Sequence, residues 1–205
     1  LRLGASSSAR PLVCLGRDSR ASGEELAAEA AAGLAAVGCN VLDLGIVATP
    51  TVGVMIGATK AAGGVVITAS HNPSPWNGLK LLDAFGTAPS PEIAAEVIAQ
   101  FSADQDVVIA DMPGDIRQET RGTDTHVARV LGGLDPLPIV DCHYRVVLDS
   151  VNGAGCDGGR RLLEYLGCQV THLGGMPDGQ FWHTPEPLEV NLSGLATKVS
   201  ECGGG

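Results

Sequence analysis

One polar string in the sequence combines residue types that can carry out chemistry together. The string is Thr68-Ala69-Ser70-His71-Asn72-Pro73. Ser70 offers a hydroxyl, His71 an imidazole beside it, and Lys80 a cation a short distance further along the chain. A serine hydroxyl is a weak nucleophile that needs a base and a cation nearby. The string can hold one serine with a histidine beside it and a cation within reach, and the alternative is an ordinary turn whose serine and asparagine cap the local backbone.

The residues on either side of the string predict the strands that hold it. Residues 64–67 are Gly-Val-Val-Ile, a β-branched run bounded by glycine, which predicts a short buried strand. Residues 79–82 predict a second strand, in which Lys80 alternates with leucines. Pro73 fixes its own φ and disfavours helix at the preceding residue, so the turn should be stiff. We expect a strand, a rigid loop and a strand that hold Ser70 at a sheet edge.

Predicted strands alternate with predicted helices along the whole chain, which indicates a layered α/β fold. Residues 102–124 are charged and weakly periodic, and they predict a linker. Strands are expected at 12–15, 39–44, 64–67, 79–82, 145–149 and 168–173, and helices at 22–37, 50–60, 91–101, 125–131, 157–166 and from 191 onward.

The chain contains an internal repeat. Residues 37–45 align with residues 166–174, with Gly38 opposite Gly167. The spacing is far longer than the period of about 20–50 residues found in solenoids, so the repeat indicates duplicated domains. We place the first domain, with its linker, at residues 1–135 and part of a second at 136–205, with the boundary at Asp135-Pro136-Leu137-Pro138.

Composition excludes several classes of partner. The formal charge is -10, which argues against a nucleic-acid-binding protein and against an anionic membrane surface. No apolar run is long enough to span a membrane. The six cysteines form no Cys-x-x-Cys pair, so we expect no zinc site and a reduced, cytoplasmic compartment. The sequence leaves the oligomeric state open.

Taken together, residues 68–73 and the following Asn77-Gly78-x-Lys80 resemble the active-site loop of the α-D-phosphohexomutases. This family includes phosphoglucomutase, phosphomannomutase and phosphoglucosamine mutase. The segments Gly16-Arg17-Asp18-x-Arg20 and Pro177-Asp178-Gly179-x-Phe181 are similar to further segments of the family, as is Pro185-Glu186-Pro187. The resemblance implies three-layer α/β/α domains with mixed sheets. Since the chain begins at Leu1 and ends in three glycines, we expect a fragment that covers domain I and part of domain II.

The resemblance also implies a mechanism. Ser70 would carry a phosphate and give it to a hexose phosphate, which forms a bisphosphate and later returns its other phosphate. The reaction would interconvert the 6-phosphate and 1-phosphate of glucosamine, mannose or glucose. Lys80 matches a lysine implicated in proton transfer, and His71 matches the adjacent loop histidine. A solvated strand lysine is the alternative for Lys80. Arg20, preferred over Arg17, would bind phosphate through a forked pair of hydrogen bonds.

Magnesium is the cofactor that the resemblance implies. Ser70 would be one metal ligand through its phosphate. The other ligands in the family are aspartates of an Asp-Gly-Asp type loop, which these residues do not contain. We therefore expect the isolated chain to be inactive.

Two other functions remain open. Residues 153–158 fit Gly-x-Gly-x-x-Gly between a predicted strand and helix, a pattern that can bind a dinucleotide in an oxidoreductase. That reading needs an acidic residue at the end of the following strand, which instead ends in Thr171-His172-Leu173. The other possibility is a non-catalytic remnant that binds phosphosugars.

Overall fold

Two sheets form the framework of the protein in the computed structural model, which describes residues 10–103 and 106–203. The first sheet has five strands in the order β4-β3-β1-β2-β5, and the second pairs β6 with β7. The strands are β1 Leu12–Arg17, β2 Asn40–Ile46, β3 Gly63–Ile67, β4 Leu79–Leu82, β5 Ile116–Gln118, β6 Arg145–Asp149 and β7 Gln169–Leu173. The helices are α1 Gly23–Ala36, α2 Thr49–Thr59, α3 Pro91–Ser102, α4 Gly122–Leu131, α5 Leu137–Val140, α6 Cys156–Tyr165 and α7 Ser193–Glu201, with a 3-10 turn at Glu189–Asn191.

The first sheet is the middle layer of an α/β/α arrangement. Strand β1 lies at its centre and runs parallel to β2 and β3, while β4 is antiparallel to β3. Successive residues of β1 point to opposite faces of the sheet. Cys14 packs with residues of α2 on one face, and Leu15 packs with residues of α1 on the other. Because helices cover both faces, all five residues of β3 are buried. The predicted α/β fold with a mixed sheet is confirmed.

The second sheet repeats the start of the first. Strands β6 and β7 are parallel and are joined by α6, as β1 and β2 are joined by α1. Gly38 and Gly167 follow α1 and α6 with φ of 89° and 73°. Glycine tolerates this left-handed conformation, so the same residue occurs at both turns. We call residues 10–131 the first unit and residues 145–203 the second unit.

The segment predicted to be a linker is partly regular structure. Within it, β5 pairs with β2 in parallel, and α4 begins at Gly122. All three residues of β5 are exposed at the sheet edge, so the sequence carries no apolar alternation there. Residues 104–105 of this segment, like both chain ends at 1–9 and 204–205, lie outside the described residues. The boundary placed after residue 135 stays a prediction.

Ser22 occupies the N-cap position of α1, but its side chain makes no cap hydrogen bond. Its hydroxyl instead accepts a hydrogen bond from Asn77 Nδ2 at 3.0 Å, which links α1 to the loop that carries Ser70.

None of the described helices combines the length and apolarity needed to cross a membrane.

Candidate active site

The loop between β3 and β4, residues 68–78, carries Ser70, and we call it the nucleophile loop. The amide of Thr68 donates to the Gly78 carbonyl at 2.9 Å and closes the base of the loop. The amide of Ser70 donates to Thr68 Oγ1 at 3.0 Å. Ser70 is exposed and has a φ of 57°, a conformation uncommon for a residue with a side chain. Such conformations persist only where the surrounding structure enforces them.

His71 lies where it can exchange a proton with Ser70. Its Nδ1 is 3.3 Å from Ser70 Oγ. Its Nε2 is 3.8 Å from Glu186 Oε1, which belongs to the second unit. The structure therefore brings together the predicted nucleophile and the predicted histidine, with a carboxylate on the far side of the ring.

Asp18 ties the loop after β1 to the nucleophile loop. Its Oδ2 accepts from Arg20 Nε at 3.0 Å and from Thr68 Oγ1 at 2.7 Å. Its Oδ1 accepts from the Arg20 amide at 3.0 Å. The Gly-Arg-Asp-x-Arg segment begins with Gly16 and Arg17, the last two residues of β1, and continues into the loop after it, and β1 is the neighbour of β3. Parallel strands thus deliver both loops to the same sheet edge.

Arg20 is buried, with 1% of its side chain exposed, and it binds the backbone of the nucleophile loop. Nη1 donates to the Pro73 carbonyl at 2.8 Å, and Nη2 donates to the carbonyls of Ser70 and Asn72 at 3.0 and 2.7 Å. With the bond from Nε to Asp18, four of its five side-chain donors are engaged. The forked phosphate contact expected of Arg20 is therefore not what the structure shows, because these donors already hold carbonyls.

Arg17 makes fewer contacts through its guanidinium than Arg20 does. Nη1 donates to the Asp18 carbonyl at 3.3 Å, and Nη2 lies 4.0 Å from Glu24. The side chain is 19% exposed. Among the described residues, Arg17 therefore has donors to offer an anion where Arg20 has nearly none.

Lys80 is not brought into the cluster. It lies in the edge strand β4 opposite Val66 and is exposed. No hydrogen bond or ion pair joins its ammonium to another residue in the part of the chain that the structure describes. Val66 lines the cavity beside Ser70, whereas Lys80 lies on the neighbouring strand and is not among the residues that line the cavity.

A cavity of about 150 Å³ opens beside Ser70, between the two units. Asp18, Thr68 and Ser70 line it from the first unit. Loops of the second unit, before α6 and after β7, supply the facing wall. The residues lining that wall include Val151, Gly153, Ala154, Phe181 and Pro185. The nucleophile thus faces a space that both units enclose.

Comparison with known proteins agrees with the loop sequence and with the fold. The family model described as phosphoglucomutase/phosphomannomutase, alpha/beta/alpha domain I, matches residues 2–107, about half of the chain. The chain belongs to the phosphoglucomutase/phosphomannomutase family. The predicted resemblance is confirmed.

Relatives of this family match the chain over nearly its whole length. A probable phosphoglucosamine mutase of Methanopyrus kandleri is 36% identical over 188 residues, which are 91% of this chain and 41% of the relative. A phosphoglucomutase/phosphomannomutase of Thermococcus kodakarensis is 39% identical over 95% of this chain and 43% of its own length. The structure of a putative phosphomannomutase from Thermus thermophilus superimposes with a TM-score of 0.79 at 28% identity, covering 93% of this chain and 43% of that one. The chain thus spans about two fifths of the length of these family members.

Membership of the family weakens the dinucleotide reading of residues 153–158. The pattern does open α6, with Gly155 at the N-cap. However, a ribose-binding acidic residue would be needed at the end of β7, and this strand ends with His172 and Leu173. The Nε2 atom of His172 forms a hydrogen bond of 2.9 Å with Ser150 Oγ. Burial, and next the nearby Arg160 charge, lower the pKa of His172. No acidic residue lies at the end of β7 to bind a ribose.

The described residues do not bring together a cluster that could hold a metal ion by itself. In the described ranges, no group of three or more His, Cys, Asp or Glu side chains is arranged to hold a metal ion. Asp18 is a carboxylate that lines the cavity beside Ser70, and each of its oxygens accepts at least one hydrogen bond from Arg20 or Thr68.

The structure also reveals a pair that the sequence reasoning missed, Asp149 with His183. His183 Nε2 lies 2.9 Å from Asp149 Oδ2, and Nδ1 lies 2.7 Å from the Thr184 carbonyl. Both partners are hydrogen-bond acceptors, so the arrangement favours the protonated ring, which can donate from both nitrogens. Burial lowers the pKa of His183, but hydrogen bonds to Asp149 and Thr184 outweigh it and raise the pKa above its ordinary value. The available signal in the sequence was Asp149 at the end of a predicted strand and His183 in the Phe-Trp-His run of residues 181–183.

Proposed function

We propose that Ser70 is a phosphorylated nucleophile that transfers its phosphoryl group to a hexose phosphate. The observation that carries the proposal is the position of the exposed Ser70 hydroxyl, whose Oγ lies 3.3 Å from His71 Nδ1. Hydrogen bonds from Arg20 and to Asp18 hold the loop that carries Ser70. The reaction interconverts a hexose 6-phosphate and a hexose 1-phosphate through a bisphosphate. Positioning is the main demand of phosphoryl transfer, and the loop meets it.

The transfer step exchanges one bond to phosphorus for another. A hydroxyl oxygen of the sugar phosphate forms a bond to phosphorus, and the bond from phosphorus to Ser70 Oγ breaks. The sugar hydroxyl loses its proton to a base, and Ser70 Oγ gains a proton. His71 is the group positioned to hold the proton at Ser70. Lys80 is proposed to take part in proton transfer on the strength of the family resemblance, and it must turn from the exposed edge of β4 to do so.

Magnesium is the proposed cofactor, with Ser70 as a ligand through its phosphate. When bound, the ion would neutralise charge on the phosphoryl group. The hexose is glucosamine, mannose or glucose, a set that agrees with the names of the relatives. We also propose that the reaction belongs to the carbohydrate metabolism of the cytoplasm. We expect the isolated 205-residue chain to show no turnover.

The protein purified from its own cells should be assayed on the 6-phosphates of glucosamine, mannose and glucose. We expect 1-phosphate formation from at least one of them. The variant Ser70→Ala should abolish it, and Ser74→Ala, a matched change in the same exposed loop, should not. Equal turnover in both variants would refute Ser70 as the nucleophile. Sugar phosphate binding without turnover would favour the non-catalytic remnant, and NAD binding on titration would favour the oxidoreductase.

A further inference from the structure

A loop of the second unit lies against the residues that position Ser70. We call residues 177–187 the clamp loop. The middle of this loop is attached to the end of β6, since Asp149 Oδ1 accepts from Trp182 Nε1 at 3.2 Å and Asp149 Oδ2 lies 2.9 Å from His183 Nε2. The side chain of Asp149 is only 6% exposed. The loop is therefore held on the second unit by two hydrogen-bonding contacts to Asp149, one from an imidazole and one from an indole.

The start of the clamp loop meets the first unit at the loop after β1. Gly179 has a φ of 70°, and a Cβ built on it would overlap the Ser19 carbonyl. The Asn152 carbonyl accepts both from Ser19 Oγ at 2.8 Å and from the Gly179 amide at 3.3 Å. Backbone thus packs directly on backbone next to Arg20.

The tip of the clamp loop covers Arg20. The Phe181 ring centroid lies 5.1 Å from the Arg20 guanidinium carbon, within the range of a cation–π contact. That guanidinium is the group that binds the carbonyls of Ser70, Asn72 and Pro73. Water that reached it would compete for the same donors, and a covering ring excludes that water.

We propose that Phe181 is a positioning residue, whose ring covers Arg20 and so fixes the nucleophile loop from the second unit. The order of contacts runs from Asp149 through the clamp loop to Phe181, then through Arg20 to the Ser70 backbone. The inference deepens the proposed function, and rests on it only for the consequence in catalysis.

Hydrogen exchange tests the positioning without any assumption about the reaction. The reporters are the amides of Thr68, Asn72 and Trp76, each of which donates within the nucleophile loop. Phe181→Ala should speed their exchange about two- to thirty-fold, the range that a cation–π contact supports. Phe181→Tyr keeps the ring and should exchange like the unchanged protein. Phe101→Ala removes a ring that is 90% exposed on α3, and it is the matched control with no expected effect.

Each outcome decides the proposal. Faster exchange confined to the reporters in Phe181→Ala, and absent in Phe181→Tyr, supports it. Unchanged reporters in Phe181→Ala would overturn it. So would an equal acceleration in β2, because Phe181 would then stabilise the fold as a whole.

In the protein purified from its own cells, Phe181→Ala should lower kcat and leave KM unchanged. A protein without mutase turnover would refute the proposed function, and the exchange result would still decide the role of Phe181.

Discussion

Replacing Arg20 with methionine should destabilise the protein far more than replacing an exposed arginine. The side chain is 1% exposed and makes an ion pair with Asp18 at 3.0 Å. Methionine fills similar volume but leaves Asp18 without its cation and three loop carbonyls without a donor.

The structure sets the size of the effect. Hydrogen bonds to a charged group contribute roughly 1.5–3 kcal/mol each, and Arg20 makes four through its side chain. Their sum is an upper bound, because the carbonyls belong to an exposed loop and can bind water after the change. Breaking a buried pair by removing one partner costs about 3–5 kcal/mol, and we expect Arg20→Met to lie in that range.

Urea unfolding followed by circular dichroism measures the free energy of unfolding. The control is Arg117→Met, which removes a surface pair with Asp115 whose arginine is 75% exposed. We expect the control to cost less than about 1 kcal/mol. A loss in Arg20→Met equal to that of the control would refute the reasoning that Arg20 holds the nucleophile loop.

Two further predictions concern the contacts of the clamp loop. Gly179→Ala should cost more free energy of unfolding than Gly45→Ala, because both sites have positive φ but a Cβ meets the Ser19 carbonyl only at Gly179, and equal losses in urea unfolding would contradict this. His183 has a folded pKa raised above 6.5, so its protonated form stabilises the fold fully below about pH 6.5 and the contribution is lost as the pH rises through the folded pKa. His183→Gln should flatten that part of the stability profile measured by urea unfolding at several pH values, and an unchanged profile would contradict it.

The sequence predicted the elements whose apolar pattern is strong. Strand β3 is a buried β-branched run, and the repeat that relates Gly38 to Gly167 is visible as sequence similarity. Strand β5 could not be predicted, because its three residues are exposed at a sheet edge and show no alternation of apolar and polar residues. It is a strand only because it pairs with β2.

The candidate site was predicted in composition but not in geometry. The resemblance located Ser70, His71 and Arg20, and the structure brings them together. The hydrogen-bond partners of Arg20 lie about 50 residues away from it in the sequence. The local sequence around Arg20 therefore cannot distinguish an arginine that binds phosphate from one that holds a loop. The contact of Phe181 with Arg20 joins two units and is likewise invisible to local patterns.

The most direct test of the central claim is to locate the phosphate. The protein purified from its own cells should be incubated with a labelled hexose bisphosphate, digested and mapped by peptide mass spectrometry. We predict label on Ser70 that leaves again when unlabelled hexose phosphate is added. Label confined to another residue such as Ser74, or label on Ser70 that hexose phosphate does not remove, would contradict the account.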